Sequence, residues 1–189
     1  MKHFLVIALL AVPAWGQMSG TCAKPLESSF SAAGQLTIDI RSGDIEIVGS
    51  SRPGVRVSCK LRSGEDAGGV KVRLSANHLR VYGGPERNVH FRIEVPEKLA
   101  LVVRATAGDL TISGVTGDKD VELHAGDLTI SVGSPQLYRV AEGSVLAGDL
   151  NAAAFGVVKD GLFRSFRKEN AAGQYRLRAK LLTGDLTLK

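Results

Sequence analysis

The chain is poor in aromatic residues, which make up 5% of its 189 positions, and it has only two cysteines. No apolar run approaches the ~18 residues a membrane-spanning helix needs, so a multi-pass helical membrane protein is excluded. No segment carries a sustained 3.6-residue period with capping residues. The least strand-like stretch, 151–166, accommodates at most a short helical turn. No Gly-x-Ser-x-Gly elbow, no His-Glu-x-x-His pair and no phosphate-cradling glycine loop ahead of a helix is present. The formal charge of +5 is mild and its cations are scattered along the chain, which is not the footprint of a nucleic-acid binder. What the chain has in excess is glycine: 22 of 189 residues, about 12% against a usual ~7%.

The N-terminus reads as an export signal. Met1, Lys2 and His3 precede an apolar run of nine residues from Phe4 to Val12, then Pro13 and the small-residue site Ala14-Trp15-Gly16. Such a run suits a signal peptide and is too short to span a bilayer. Cleavage after Gly16 removes Lys2 and lowers the charge from +5 to +4. It leaves 17–34 as an irregular N-terminal segment and 35–189 as one domain, with no transmembrane span. Cys22 and Cys59 then lie in an oxidising compartment, where an even count favours a disulfide. Closing a loop of about 37 residues would stabilise by roughly 3–4 kcal/mol on the chain-entropy model. Two unrelated thiols, with Cys59 a small core residue, are the alternative.

From Gln35 onward the pattern alternates with a period of two. Leu36, Ile38 and Ile40; Val55, Val57, Cys59 and Leu61; Val70, Val72 and Leu74; Leu79 and Val81; and Val89, Phe91, Ile93 and Val95 each alternate with polar neighbours. That period places one face of a strand in a core and the other in water. A short phrase recurs across these strands: Gly43-Asp44-Ile45, Gly108-Asp109-Leu110, Gly126-Asp127-Leu128, Gly148-Asp149-Leu150 and Gly184-Asp185-Leu186. The last four glycines are spaced by 18, 22 and 36 residues, a period that suits one coil of a β-solenoid. Glycine supplies the positive φ of a tight bend, aspartate accepts hydrogen bonds from nearby amides, and the next aliphatic residue re-enters the core. Stacked coils would align Leu110, Leu128, Leu150 and Leu186 in one inner ladder, with neighbouring strands about 4.8 Å apart.

These Gly-Asp-Ile/Leu corners, behind an export signal and alternating strands, resemble the bacterial putative-adhesin domain family over about 34–189. The resemblance implies a β-helical domain in the cell envelope, and it carries no ligand residues. The expected fold is therefore all-β, a β-solenoid with hairpin-like strands in its N-terminal half, between Gly49 and Pro96, where the corners are missing.

Candidate chemistry is sparse. Gly108, Gly117 and Gly126 are nine residues apart, as in calcium-binding solenoids, and would bring Asp109, Asp118, Asp120 and Asp127 with them. The paired glycines of such repeats are missing, so the aspartates are read as turn residues and no metal or cofactor is expected. His78 falls in a turn, and His90 and His124 fall at outward strand positions. The segment Phe163-Arg164-Ser165-Phe166-Arg167-Lys168 interleaves aromatics with cations. It is read either as a contact patch for an envelope polymer, glycan or protein, or as a loop whose phenylalanines plug the core while the cations stay wet. Arg176, Arg178 and Lys180 share the outward face of one late strand, read as a solvated edge. The expected role is an exported, non-catalytic interaction module. The alternatives are a carbohydrate-active enzyme, whose carboxylates would meet only in space, and a structural element that oligomerises through its terminal coil. The exported protein is expected to begin at Gln17; intact mass of the secreted chain checks this, and a retained Met1 would contradict it.

Overall fold

The computed structural model describes residues 18–21, 26–28, 34–61, 69–75, 77–83 and 89–189. The expected signal, 1–16, lies outside them. In chain order the strands are β1 (Met18–Thr21), β2 (Leu26–Ser28), β3 (Gln35–Ser42), β4 (Asp44–Ser50), β5 (Val55–Leu61), β6 (Val70–Ser75), β7 (His78–Gly83), β8 (Val89–Pro96) and β9 (Ala100–Ala107). They continue as β10 (Leu110–Ser113), β11 (Lys119–Ala125), β12 (Leu128–Ile130), β13 (Tyr138–Ala147), β14 (Leu150–Ala152), β15 (Val157–Lys159), β16 (Leu162–Glu169), β17 (Tyr175–Thr183) and β18 (Leu186–Leu188). Segment 17–34, expected to be irregular, contributes β1 and β2. Ala153–Phe155 forms a 3-10 turn inside 151–166.

The strands form two nine-stranded sheets. The first runs β1-β6-β7-β3-β9-β11-β17-β13-β16 and the second β15-β14-β18-β12-β10-β4-β8-β5-β2. The middle of each sheet is parallel: β3, β9, β11, β17 and β13 in one, β4, β10, β12, β18 and β14 in the other. The margins are antiparallel, through β1·β6, β6·β7 and β13·β16, and through β2·β5, β5·β8 and β14·β15. Alternation along the central strands sends their aliphatic set inward, so Leu36, Ile38, Ile40, Ile45, Ile47, Leu101, Leu123 and Leu177 are buried.

This sandwich-like pair of mixed sheets corrects the expected solenoid. A solenoid adds each winding onto the one before it. Here the last pair, β17 and β18, inserts between β11–β12 and β13–β14, and antiparallel strands flank the parallel centre. A spacing of 36 residues between Gly148 and Gly184 suggested two further coils; the chain instead turns back through β15 and β16 and slots its final strands inside the sheets.

The Gly-Asp bends do lie side by side, in the order Gly43, Gly108, Gly126, Gly184, Gly148. All five have positive φ, from 107° to 134°. A Cβ on Gly126 would stand 2.2 Å from the carbonyl oxygen of Gly108, and one on Gly184 would stand 2.0 Å from that of Gly126. Glycine is thus required twice, by conformation and by the closeness of the neighbouring bend. Each bend hands its backbone to the next, as in Gly108 N–H to Ala125 O at 2.9 Å and Gly184 N–H to Ala147 O at 3.0 Å. Beyond the bends, Ile45, Leu110, Leu128, Leu186 and Leu150 pair in register and form one buried aliphatic column.

Among the described residues, one buried inward position is charged. Lys119 shares the inward parity of Val121 and Leu123 on β11 and is only 2% exposed. Its Nζ donates to the Gly117 carbonyl at 3.0 Å and to the Tyr138 hydroxyl at 2.7 Å, and it sits 5.0 Å from the Tyr138 ring centroid. Tyr138 in turn donates to the Val132 carbonyl at 3.3 Å. Burial pushes the Lys119 ammonium down to about 8, against a smaller opposing pull from Asp118, and pushes the Tyr138 phenol up to about 12.

Two predictions follow from this packing. Gly126→Val should cost more than about 4 kcal/mol or prevent folding, and Leu128→Ala about 2–5 kcal/mol, while Thr129→Ser on the outward face stays within about 0.5 kcal/mol. Chemical denaturation measures all three, and equal small effects would contradict the stacked bends. For Lys119 the folded pKa lies below the unfolded one. Its favourable contribution is complete above pH 10.5 and is lost as pH falls through about 8. The Tyr138 contribution has the opposite sense, complete below pH 10 and lost as pH rises through about 12. The stability of the native chain relative to Lys119→Met should therefore improve by about 2–3 kcal/mol from pH 8 to pH 10. A pH-independent difference would contradict a buried, readily neutralised lysine.

Candidate functional site

The bends set a column of aspartates along one rim. Asp109 Oδ1 accepts from the Asp127 amide at 3.1 Å, Asp127 Oδ1 from the Asp185 amide at 3.1 Å, and Asp185 Oδ1 from the Asp149 amide at 3.0 Å. Asp44 begins β4 beside this column. The carboxylates thus cap the neighbouring bend rather than their own. Gly117 is outside the column: a Cβ there would meet the Leu99 carbonyl at 2.4 Å. The nine-residue spacing of Gly108, Gly117 and Gly126 therefore joins two different places. Among the described residues no group of three or more His, Cys, Asp or Glu side chains is placed to hold a metal ion.

The outer face of the first sheet is built from the polar half of the alternation. Register aligns Arg80, Asp39, Arg104, Glu122 and Lys180 across five strands, so charge alternates in sign along the row. Arg104 lies 3.1 Å from Asp120, Lys180 lies 3.0 Å from Glu122, and Arg80 lies 3.7 Å from Asp39. The hydrogen bond from Lys180 is the main cause holding the Glu122 carboxyl below its ordinary range. Such exposed pairs are worth about 0–1 kcal/mol each and chiefly oppose a slip of register. Arg176, Arg178 and Lys180, expected on an edge, lie on β17 between β11 and β13. His78 opens β7 with Nε2 2.7 Å from Asp39 Oδ2, whereas a turn was expected there; His90 and His124 face outward beside Glu46 and Glu122. A shallow depression of about 380 Å³ lies over this row, with Asp39, Arg80, Tyr82 and Arg104 among its lining.

A different surface lies at the end formed by β13, β15 and β16. The segment Phe163 to Lys168, read from sequence as a patch or a loop, is an edge strand. β16 pairs antiparallel with β13 alone and is the outermost strand of its sheet. Phe166 points inward opposite Gly143 and packs on Phe155, ring centroids 5.7 Å apart. A Cβ on Gly143 would come within 2.5 Å of that ring, so the missing side chain makes room for the plug. Phe163 does the opposite: it is 77% exposed and has φ of 55°, the one positive φ at a described non-glycine residue. That conformation costs on the order of 1–3 kcal/mol. Arg167 is tied to Glu142 and Glu169, whose carboxylates hold its guanidinium above its ordinary range. Lys159 Nζ donates to the Ser165 carbonyl at 2.7 Å and Arg164 Nε to the Asp160 carbonyl. Lys168 is exposed near the far end of the strand.

Five large apolar side chains are exposed among the described residues. Four of them, Leu146, Val158, Leu162 and Phe163, belong to this end; the fifth is Leu137. Alternation could not reveal this edge, because β16 has almost no buried face. Cys59, half-buried on β5, is disulfide-bonded, and Cys22 lies outside the described residues. Among the described residues no helix is long and apolar enough to cross a membrane.

No protein-family model matches the chain, and no curated protein matches it. Among solved structures, a protein of Clostridium sporogenes described as a putative cell adhesion protein superposes with a TM-score of 0.52 at 11% identity, over 92% of this chain and 98% of that one. A putative adhesin of Bacteroides fragilis aligns over 94% of this chain and 99% of that one at 9% identity, but with a TM-score of 0.25, which carries no argument. At 11% identity the Clostridium protein shows a shared fold across nearly the whole of both chains.

Proposed function

We propose that this is an exported, non-catalytic interaction module that engages an envelope polymer, glycan or protein through the β13–β15–β16 end. The observation that carries the reading is the exposure of Leu162 and Phe163, consecutive on the edge strand β16, with exposed Leu146 on the neighbouring β13. Large apolar side chains left together in water mark a surface that another molecule covers. The backbone strain at Phe163 supports it, since that conformation holds a phenyl ring outward at a cost to folding. The apolar run at the N-terminus supports export, and the fold shared with a protein described as a cell adhesion protein agrees with a role at the surface.

Burying Leu162 and Phe163 against a partner would contribute about 1.5–3 kcal/mol each. The double variant Leu162→Ser/Phe163→Ser should therefore bind isolated envelope fractions at least tenfold more weakly than the native chain, with its thermal midpoint unchanged within a few degrees. Undiminished binding would overturn the assignment of this end. Hydrolytic turnover of envelope polysaccharide, abolished by a single carboxylate substitution, would overturn the non-catalytic reading.

A further inference from the structure

We infer that β16 is a docking edge for an extended, acidic segment of a partner protein, which adds to the first sheet as a tenth strand. The inference rests on the interaction module placed at this end and names its partner. Three features lead to it. First, the outer backbone edge of β16 carries no strand among the described residues. Asn170 N–H points to the Arg139 carbonyl on β13. In an antiparallel ladder both groups of a residue face the same side, so even-numbered positions such as Phe166 face β13, and Ser165 and Arg167 face out. The Lys159 side chain, reaching the Ser165 carbonyl from β15 at the margin of the second sheet, agrees with that direction.

Second, the edge is cationic. The charge of Arg167 is answered by Glu142 and Glu169. Lys159, Arg164 and Lys168 make no ion pair among the described residues; the first two donate to backbone oxygens. Arg164 and Lys168 lie on the inward parity of β16, across from Val145 and Ala141. Charges so placed repel a second copy of the same edge, because like charges across a strand pair are destabilising. They attract a segment carrying Asp or Glu.

Third, a protected edge would be polar throughout, whereas this one exposes Leu162 and Phe163 beside the cations. Strand addition uses both kinds of group: backbone hydrogen bonds give affinity, and alternate side chains give selectivity. The partner's acidic residues would face Arg164 and Lys168, and an apolar residue on the other face of the added strand would cover Phe163.

The test uses the whole exported chain and a synthetic ten-residue peptide alternating Glu with Val, labelled for fluorescence anisotropy. Its controls are the same peptide with Lys for Glu, and the Glu peptide N-methylated at alternate residues. The Glu peptide should bind at least tenfold more tightly than the Lys peptide, and salt should weaken it. N-methylation of the residues that face β16 should abolish binding without altering the protein. Ser165→Pro removes an outward N–H and no bond to β13, so it should lose the peptide at least tenfold and stay folded. Arg164→Glu/Lys168→Glu should reverse the preference to the Lys peptide. Equal binding of Glu and Lys peptides, or full binding by the N-methylated peptide, would overturn strand addition. So would a concentration-dependent dimer that Ser165→Pro disrupts, which would make a second copy the occupant. If envelope binding falls with Leu162→Ser/Phe163→Ser but not with Ser165→Pro, the apolar end stands and the added strand does not; if neither variant changes it, both readings fail.

Discussion

The structure depends on five backbone bends that approach more closely than any side chain would allow. At Gly108, Gly126, Gly184 and Gly148 the position a Cβ would take lies 2.0–2.2 Å from a neighbouring carbonyl oxygen. That approach brings consecutive strand pairs into one register, so a residue two places past each bend meets its counterpart on the next. The aliphatic column of Ile45, Leu110, Leu128, Leu186 and Leu150 is the consequence inside, and the chain of aspartate-to-amide hydrogen bonds is the consequence on the rim. Local conformational freedom at a few glycines is thereby converted into long-range alignment of a core.

The same register organises the polar face. With the bends aligned, Arg80, Asp39, Arg104, Glu122 and Lys180 fall in one row and compensate each other's charge. Such a face is stable but largely self-satisfied. The β13–β15–β16 end differs because the regular ladder stops there. A plug, Phe166 on Phe155, closes the core, while cations and apolar residues remain outward with less to answer them. The polar face is thus largely neutralised, whereas Lys159, Arg164 and Lys168 at the β16 edge make no ion pair among the described residues.

Much of the core was legible in the sequence, since period-two alternation marks which side of each strand is buried, and Leu36, Val57, Phe91 and Leu177 all follow it. The bends were legible too, because Gly-Asp followed by an aliphatic residue is a local signal. Strand order was not. Nothing local in the 36 residues between Gly148 and Gly184 says that β17 and β18 enter between earlier strands instead of extending the stack, and the solenoid expectation failed there. The edge strand β16 was obscured for a related reason: a strand exposed on nearly every residue has no alternation to detect. Lys119 could have been found, as its parity with Val121 and Leu123 placed a cation in the core, but a charged residue next to Asp118 and Asp120 reads as surface. The aspartates were read as accepting from nearby amides; that those amides belong to the adjacent bend is revealed only by the three-dimensional stacking.

The claim that this column of bends organises the fold is most directly tested by solution NMR on glycine-labelled protein. The account predicts close backbone contacts from Gly126 to Gly184 and from Gly184 to Gly148, with a hydrogen-bond coupling from the Gly184 amide to the Ala147 carbonyl, and no contact between Gly126 and Gly148, two strand spacings or about 10 Å apart. Direct contact between Gly126 and Gly148, with Gly184 elsewhere, would contradict it.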